Sequence, residues 1–201
     1  MRDISLTKNI IENNKNNLET NLVLLQDIIS NDTFVKNVLP KDGGIYAFWW
    51  VNDLAKIKNQ LKKSKYNLKG KHTVGLLPVS FSEEWINLNI SSSNNDKICL
   101  YVGKTTNISQ RISKHIRPKT TDIWKGNKRH SGIKPNSESQ LRIGVERVFY
   151  NDSIIEFYGN IGLSYIELKD IYKYQNGINR FYLEDYFISK HYPLFNIDIE
   201  R

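Results

Sequence analysis

The chain has 201 residues, of which 39% are hydrophobic, enough apolar material to bury the core of one globular domain. Its net charge is +8, its mean hydropathy is −0.51 and no apolar run approaches the roughly 20 residues of a membrane-spanning helix, so composition excludes a disordered tail and a transmembrane protein. A single cysteine, Cys99, excludes an internal disulfide, and the first residues lack a secretory signal, so a cytoplasmic protein is expected.

The first half of the chain predicts helices around one buried strand. Leu18 to Ile29 has apolar residues at helical spacing and predicts a helix within an N-terminal helical segment, residues 1–42. Residues 43–50, GGIYAFWW, are rich in β-forming residues and predict a buried strand. Asn52 is expected to cap a helix that continues through Leu61 into a lysine-rich loop.

The second half predicts a strand, a helix, further strands and a final helix. Residues 97–103, KICLYVG, form the second predicted strand, and Asn107 is placed to cap a helix that Pro118 ends. Residues 117–139 show little periodicity and predict a long loop. The segments LRIGVERVFY, SIIEFY and IGLSYIEL predict two or three strands, and a helix is expected from about Ile178 to Tyr192.

Positive charge is concentrated in two segments. Between Tyr101 and Lys134 there are nine basic residues and one acid, so this stretch accounts for the whole net charge of +8. A second run, Lys56 to Lys71, holds seven lysines and no acid. Such clusters attract polyanions through Coulomb forces and counterion release, although a solvated basic face explains an isolated cluster equally well.

Several common catalytic motifs are absent, including G-x-S-x-G, the Walker phosphate loop, H-E-x-x-H and cysteine–histidine zinc spacings. Phosphodiester hydrolysis needs less: a base for the attacking water, a cation at the phosphate and usually a metal on a carboxylate. Residues suited to this chemistry follow two tripeptides, Gly44-Ile45-Tyr46 and Tyr101-Val102-Gly103.

The spacing after Tyr101, in YVGKTTNISQRISKH, places Lys104, Arg111 and His115 three, ten and fourteen residues later. Arg111 and His115 are four residues apart and so share one helix face. Glu184 on a predicted helix is followed twelve residues later by Asn196, in LEDYFISKHYPLFN. Together with Gly-Ile-Tyr and Tyr-Val-Gly, this order of residues resembles the GIY-YIG nuclease family.

The resemblance implies an α/β (α+β) fold with a small central three-stranded antiparallel sheet flanked by helices. The chain would form a single nuclease domain, residues 1–201, with insertions at about 51–96 and 117–165 relative to the compact family pattern. The resemblance covers residues 43–50, 98–116 and 178–197.

The resemblance also implies the site residues: Tyr46, Tyr101, Lys104, Arg111, His115, Glu184 and Asn196. Glu184 would hold one divalent ion, Mg²⁺ or Mn²⁺, because hard cations prefer oxygen ligands. Arg111 would contact the scissile phosphate, and Lys104 would add positive charge.

The remaining site residues would transfer a proton or orient the reacting groups. Tyr46 is the expected general base, its proton relayed or oriented by His115, while Tyr101 shapes the site or shares the role. Asn196 would orient the glutamate helix or the substrate. Each residue also has an ordinary structural explanation: a strand tyrosine usually fills a core, and Glu184 on its own is an ordinary surface acid.

We therefore expect a metal-dependent endonuclease that hydrolyses double-stranded DNA, a stand-alone type II restriction-type enzyme. The alternatives are a repair or defence nuclease without strict site specificity, an RNA-cleaving enzyme and a non-catalytic DNA-binding module. A homodimer on a palindromic site is expected, with Trp49, Trp50 and Trp85 either at its interface or in the core. The expected DNA-binding residues belong to the two basic runs: Lys62, Lys63, Lys114, Arg117, Lys119, Lys125, Lys128 and Arg129.

Overall fold

The computed structural model describes residues 4–29, 37–69, 76–93, 96–116, 139–149, 159–169 and 173–197. The helices in these ranges are α1 (Ile4–Asn14), α2 (Leu25–Ile29), α3 (Leu54–Lys63), α4 (Glu83–Ser91), α5 (Ile108–Ile116), α6 (Gln140–Val148) and α7 (Lys173–His191). The strands are β1 (Val23–Leu24), β2 (Gly44–Trp50), β3 (Lys65–Lys69), β4 (Leu76–Ser80), β5 (Ile98–Thr105) and β6 (Ile161–Glu167).

The main sheet has the strand order β1-β6-β2-β5, and every pairing in it is antiparallel. This confirms the expected α+β class with an antiparallel sheet. The sheet has four strands where three were expected, because Val23 and Leu24 pair with the end of β6. A separate two-stranded hairpin is formed by β3 and β4.

Strand β2 is buried along its whole length because strands pair on both its edges and helices cover both its faces. Tyr46, Phe48 and Trp50 belong to the larger core cluster on one face. Trp49 packs on the other face, in the cluster that contains Leu183 and Phe187 of α7. The buried strand predicted over residues 43–50 is confirmed.

Three tryptophans were considered for a dimer interface, and two of them, Trp49 and Trp50, are core residues. Trp49 and Trp50 are 0% and 1% exposed, and the Trp49 indole Nε1 donates to Ser164 Oγ at 2.8 Å. Trp50 stacks on Phe149 with ring centroids 5.0 Å apart. An interface role is therefore wrong for these two side chains. Trp85 is half-buried, and its Nε1 donates to the Tyr192 carbonyl at 2.8 Å.

The helix predicted over Leu18 to Ile29 is wrong before Leu25 and is confirmed over Leu25–Ile29 as α2. A 3-10 turn spans Asn17–Glu19, Asn21 adopts a φ of 56°, and the chain then enters β1 before α2 begins. Polar residues such as Asn21 tolerate left-handed backbone and favour turns, which interrupts a helix that apolar spacing alone would predict. The apolar residues of this stretch are nevertheless buried as expected, Leu18 completely.

The segment LRIGVERVFY is also corrected, from strand to helix. Leu141, Val145 and Val148 lie on one buried face of α6 at helical spacing. Gly144 on this helix faces Phe195, with no space for a Cβ atom between them. The segment SIIEFY and most of the predicted loop 117–139 lie outside the described residues, whereas IGLSYIEL contains β6 as predicted.

Part of the predicted lysine-rich loop is the β3–β4 hairpin. Leu68 and Val79 are buried on its inner face, whereas Lys65 and Asn67 are exposed on its outer face. This alternation is typical of a half-buried hairpin. The strand was not predicted because lysines occupy its solvent-facing positions, so the sequence resembles a charged loop.

The other three predicted helices are confirmed, two of them with shifted starts. Helix α3 is capped by Asp53 and not by Asn52, since Asp53 Oδ1 accepts the Lys56 N–H at 3.0 Å. Helix α5 begins after Asn107, whose Oδ1 accepts the Gln110 N–H at 2.8 Å, as expected for its cap. Helix α7 begins several residues before Ile178. In the described ranges, the helices are too short or too polar to cross a membrane.

Candidate active site

Tyr46 lies at the centre of the candidate site. Register places it opposite Gly103 on β5, so its ring crosses toward α5, where it meets Arg111 and His115. The phenol oxygen of Tyr46 is 3.1 Å from Arg111 Nε and 3.1 Å from His115 Nε2. Tyr46 is 0% exposed and His115 is 2% exposed, so these polar atoms meet out of water.

The charge state of His115 limits the direction of these hydrogen bonds. Burial, with the charges of Arg111 and Arg142, lowers the pKa of His115 to about 3, so its imidazole is neutral at pH 7. Arg111 can only donate, so its Nε–H bonds to the Tyr46 oxygen. In the tautomer with its proton on Nδ1, His115 accepts the Tyr46 O–H at Nε2. The Nδ1 proton of His115 then faces Ser139 Oγ at 3.4 Å.

Arg111 serves both tyrosines. The Tyr101 ring lies with its centroid 6.2 Å from that of Tyr46, and the guanidinium also interacts with the Tyr101 hydroxyl. Burial lowers the pKa of Arg111, but the two phenols outweigh it and the pKa is raised. Burial raises the pKa of Tyr46 and of Tyr101, and Arg111 opposes the rise in both. The pair therefore consists of neutral phenols beside a permanent cation.

The neutral state of His115 makes stability depend on pH. An imidazole with a pKa near 6.5 when unfolded and about 3 when folded is protonated first in the unfolded chain as pH falls. We expect the free energy of unfolding to decrease between pH 7 and pH 5, with about 2 kcal/mol of that loss due to His115. Urea unfolding of wild type and His115→Gln at both pH values measures this. An equal loss in both proteins would contradict the assignment.

Gly103 is required because the Tyr46 ring occupies the space above it. A Cβ atom at this position would lie 2.5 Å from Tyr46 Oη and 2.6 Å from Cζ. We expect Gly103→Ala to displace the phenol, to lower the rate of the phosphodiester hydrolysis expected from the sequence by about a hundredfold, and to cost about 1–3 kcal/mol of stability. Single-turnover kinetics and urea unfolding measure the two effects.

Gly177→Ala on α7 is the matched control, because the nearest atom to its new Cβ would be Arg180 Nη2 at 3.9 Å, an ordinary contact distance. This change should leave the rate unaltered and stabilise the helix by up to about 1 kcal/mol. If Gly103→Ala behaves in the same way, the phenol is not confined as described.

Glu184 on α7 reaches the site from the other side of β5. Its Oε1 accepts the Lys104 backbone N–H at 3.0 Å, and its Oε2 forms an ion pair with Lys104 Nζ. The side chain of Glu184 is 15% exposed and that of Lys104 is 35% exposed. The charge of Glu184 is near enough to contribute to the raised pKa of Tyr46. The structure thus brings together the tyrosines, Arg111, His115, Lys104 and Glu184.

Asn196 binds the backbone of β5. Its Oδ1 accepts the Val102 N–H at 2.9 Å, and its Nδ2 donates to the Val102 carbonyl at 2.8 Å. Asn89 makes the same pair of bonds to Cys99, both at 2.8 Å. These amides occupy the unpaired edge of β5 as a neighbouring strand would. Sequence reasoning missed Asn89 and Ser139, because isolated polar residues in their elements form no recognisable pattern.

The predicted DNA-binding residues are only partly described. Lys62 pairs with Glu83 at 2.7 Å, and Lys63 is exposed at the end of α3. Lys114 is exposed in the last turn of α5. The remaining predicted residues lie outside the described ranges: Arg117, Lys119, Lys125, Lys128 and Arg129.

The donor set suits a single hydrated cation. Among the described residues, no group of three or more His, Cys, Asp or Glu side chains is arranged to hold a metal. Glu184 stands alone as a partly exposed carboxylate that already attracts a cationic group. Mg²⁺ is commonly bound through one or two carboxylates, with water and substrate phosphate as its other ligands. Glu184 could therefore hold a hydrated divalent cation.

One family model matches the chain, that of the GIY-YIG catalytic domain, over residues 89–160. The matched segment contains β5, α5 and α6, and with them Tyr101, Arg111 and His115. Tyr46 and Glu184 lie outside it, yet both contact residues within it. No curated protein and no solved structure matches the chain. The catalytic-domain match, together with the tyrosine, arginine and glutamate positions that adjoin one another around β5, supports similarity of this chain to the GIY-YIG nuclease superfamily.

Proposed function

We propose that this chain is a metal-dependent endodeoxyribonuclease that hydrolyses DNA phosphodiester bonds, working as a single domain over residues 1–201. The observation that supports this most directly is the Tyr46 phenol, hydrogen-bonded at 3.1 Å to both Arg111 and His115. A hydroxyl between a permanent cation and a neutral proton acceptor is suited to general base chemistry.

His115 makes a buried phenol usable as a base. A phenol with a raised pKa is a weak base when it must first release its proton to water. Here Tyr46 can pass its own proton to His115 Nε2 while its oxygen takes a proton from the attacking water, so the phenol is neutral again after the transfer. The low pKa of His115 then favours release of the extra proton to solvent. Arg111 stabilises the partial negative charge on the phenol oxygen during the transfer and the charge on the phosphate. Tyr101, which also interacts with Arg111, completes the wall of the site.

Glu184 is the residue that would hold Mg²⁺ or Mn²⁺. The bound ion supplies Lewis-acid stabilisation of the charge that develops on the leaving oxygen. Lys104 adds a second positive charge next to this carboxylate. Asn196 keeps the β5 edge in place, so that Tyr101 and Lys104 on that strand stay aligned with α7.

We further propose a stand-alone type II restriction-type enzyme that acts on double-stranded DNA in the cytoplasm as a homodimer. The insertion at 51–96 forms α3, the β3–β4 hairpin and α4, and exposed lysines of α3 and β3 add basic surface beside the main sheet. Together with the insertion at about 117–165, it offers a route to sequence recognition without a separate domain. Two-fold pairing would double the base contacts and supply one site for each strand.

Digestion of a mixed-sequence plasmid with purified protein and Mg²⁺ tests this proposal, with EDTA as the control. Discrete linear fragments without accumulated nicked circles support a paired restriction-type enzyme. A smear, or nicked circles alone, favours a repair or defence nuclease without strict specificity. Cleavage of RNA in place of DNA changes the substrate class, and no cleavage of either polymer favours a binding module.

The basic segment between Tyr101 and Lys134 should account for DNA affinity without being needed for the cleavage step. Replacing Lys125, Lys128 and Arg129 with alanine should reduce the slope of log affinity against log salt by roughly one for each lost phosphate contact. Fluorescence anisotropy with a duplex in Ca²⁺ measures the slope, and Lys8→Ala on α1 controls for a change in overall charge. A slope equal to that of wild type would make this segment a solvated face.

A further inference from the structure

Lys104 makes two contacts with Glu184, one through its backbone and one through its side chain. The backbone N–H donates to Oε1 at 3.0 Å, and the ammonium pairs with Oε2. Both carboxylate oxygens thus have a partner in the protein. An incoming divalent cation would compete with a positive charge that is already present.

The backbone contact and the side-chain contact of Lys104 with Glu184 differ in how easily they can be broken. The backbone N–H belongs to β5, which is fixed by pairing with β2 and by the edge contacts of Asn196. The ammonium ends a flexible four-carbon stem and is partly exposed to solvent. Only the contact at Oε2 can therefore open without disturbing the sheet.

In the same position, the ammonium also lies near an aromatic ring. Lys104 Nζ is 5.3 Å from the centroid of the Phe181 ring, which is 39% exposed. Phe181 precedes Glu184 by three residues on α7 and so lies on the same helix face. An aromatic ring face attracts a cation, so the ammonium can leave Oε2 and stay within the site.

We propose that Lys104 is a resident counter-ion of the metal ligand, whose ammonium occupies Glu184 Oε2 until a divalent cation replaces it. This inference rests on the proposed role of Glu184. It makes metal binding weak in free protein and stronger in the DNA complex, where a phosphate oxygen offers the displaced ammonium a new partner. Lys104 is then a positioning residue that links metal binding to substrate binding.

Mn²⁺ titration of the DNA-free protein by calorimetry tests the exchange. Lys104→Met removes the competing charge and should tighten Mn²⁺ binding about fivefold or more, the scale of a partly exposed ion pair. Lys104→Arg keeps a cation and should bind like wild type. Lys8→Met, a charge change at an exposed position on α1, should also leave the affinity unchanged. Equal affinity in Lys104→Met and wild type would overturn the proposal.

A second readout follows the ammonium itself. In protein labelled with ¹⁵N-lysine, the Nζ resonance missing from Lys104→Arg identifies this group, and Mg²⁺ should shift it in wild type but not in Glu184→Gln. A resonance unmoved at saturating Mg²⁺ would contradict displacement. Loss of Mn²⁺ binding in Glu184→Gln combined with no effect of Lys104→Met would refute the exchange alone. Unchanged Mn²⁺ binding in Glu184→Gln would instead refute the metal role of Glu184.

Discussion

Glu184→Gln is expected to lower the cleavage rate by at least about a thousandfold, because the loss of the proposed metal ligand would remove several kcal/mol of transition-state stabilisation. Glutamine is nearly the same size and can still accept the Lys104 backbone N–H through its amide oxygen. The fold and the salt-dependent binding of DNA should therefore persist. Glu184→Gln therefore distinguishes an effect on DNA cleavage from an effect on DNA binding.

Single-turnover cleavage and a gel shift, both on the same duplex, measure these effects. Asp185→Asn is the matched control, since it removes one carboxylate from the adjacent, exposed position of α7. The control should cleave at close to the wild-type rate. Residual cleavage by Glu184→Gln within about tenfold of wild type would remove Glu184 from the metal site.

Tyr46→Phe should lower the single-turnover rate by about a hundredfold to ten-thousandfold, the range for loss of a general base. The change deletes only the hydroxyl that Arg111 and His115 share. Both partners then lose a buried hydrogen bond, so a stability loss of about 1–3 kcal/mol is also expected.

Tyr101→Phe is the comparison that decides between the two phenols. It removes the corresponding hydroxyl from a ring whose centroid is 6.2 Å away and has a smaller expected effect, because the Tyr46 hydroxyl is the one that lies against His115 Nε2. Rates are measured for both variants with unfolding curves as the control for misfolding. A greater loss in Tyr101→Phe would transfer the role of base to Tyr101.

The site was predictable where its residues are close in sequence. Tyr101, Arg111 and His115 lie on one strand and the helix that follows it, so spacing alone predicts that they meet. Strand Gly44–Trp50 was predictable from its continuous β-forming residues. The pairing of β2 with β5 then places Tyr46 above Gly103, which the tripeptides do not show by themselves.

Long-range polar contacts could not be predicted. Lys104 and Glu184 are 80 residues apart, and nothing in either local sequence indicates that they bond to each other. Asn196 was expected to orient the glutamate helix or the substrate, whereas its amide binds the β5 backbone at Val102. An amide that replaces a neighbouring strand leaves no periodic signal.

Errors in secondary structure came from competition between local patterns and tertiary contacts. LRIGVERVFY has β-forming residues, but Leu141, Val145 and Val148 pack one helix face into the core. Leu18 to Ile29 has helical spacing, but pairing of Val23 with β6 outweighs it. In each case the deciding partner is distant in sequence.

The central claim, that Glu184 and the Tyr46–Arg111–His115 group act on one phosphodiester, is tested most directly by a crystal structure with Mn²⁺ and an uncleavable duplex. The anomalous signal of Mn²⁺ should lie within bonding distance of Glu184, with the scissile phosphate against Arg111 and the attacking water near the Tyr46 oxygen. A Mn²⁺ peak away from Glu184, or a phosphate out of reach of Arg111, would contradict the account.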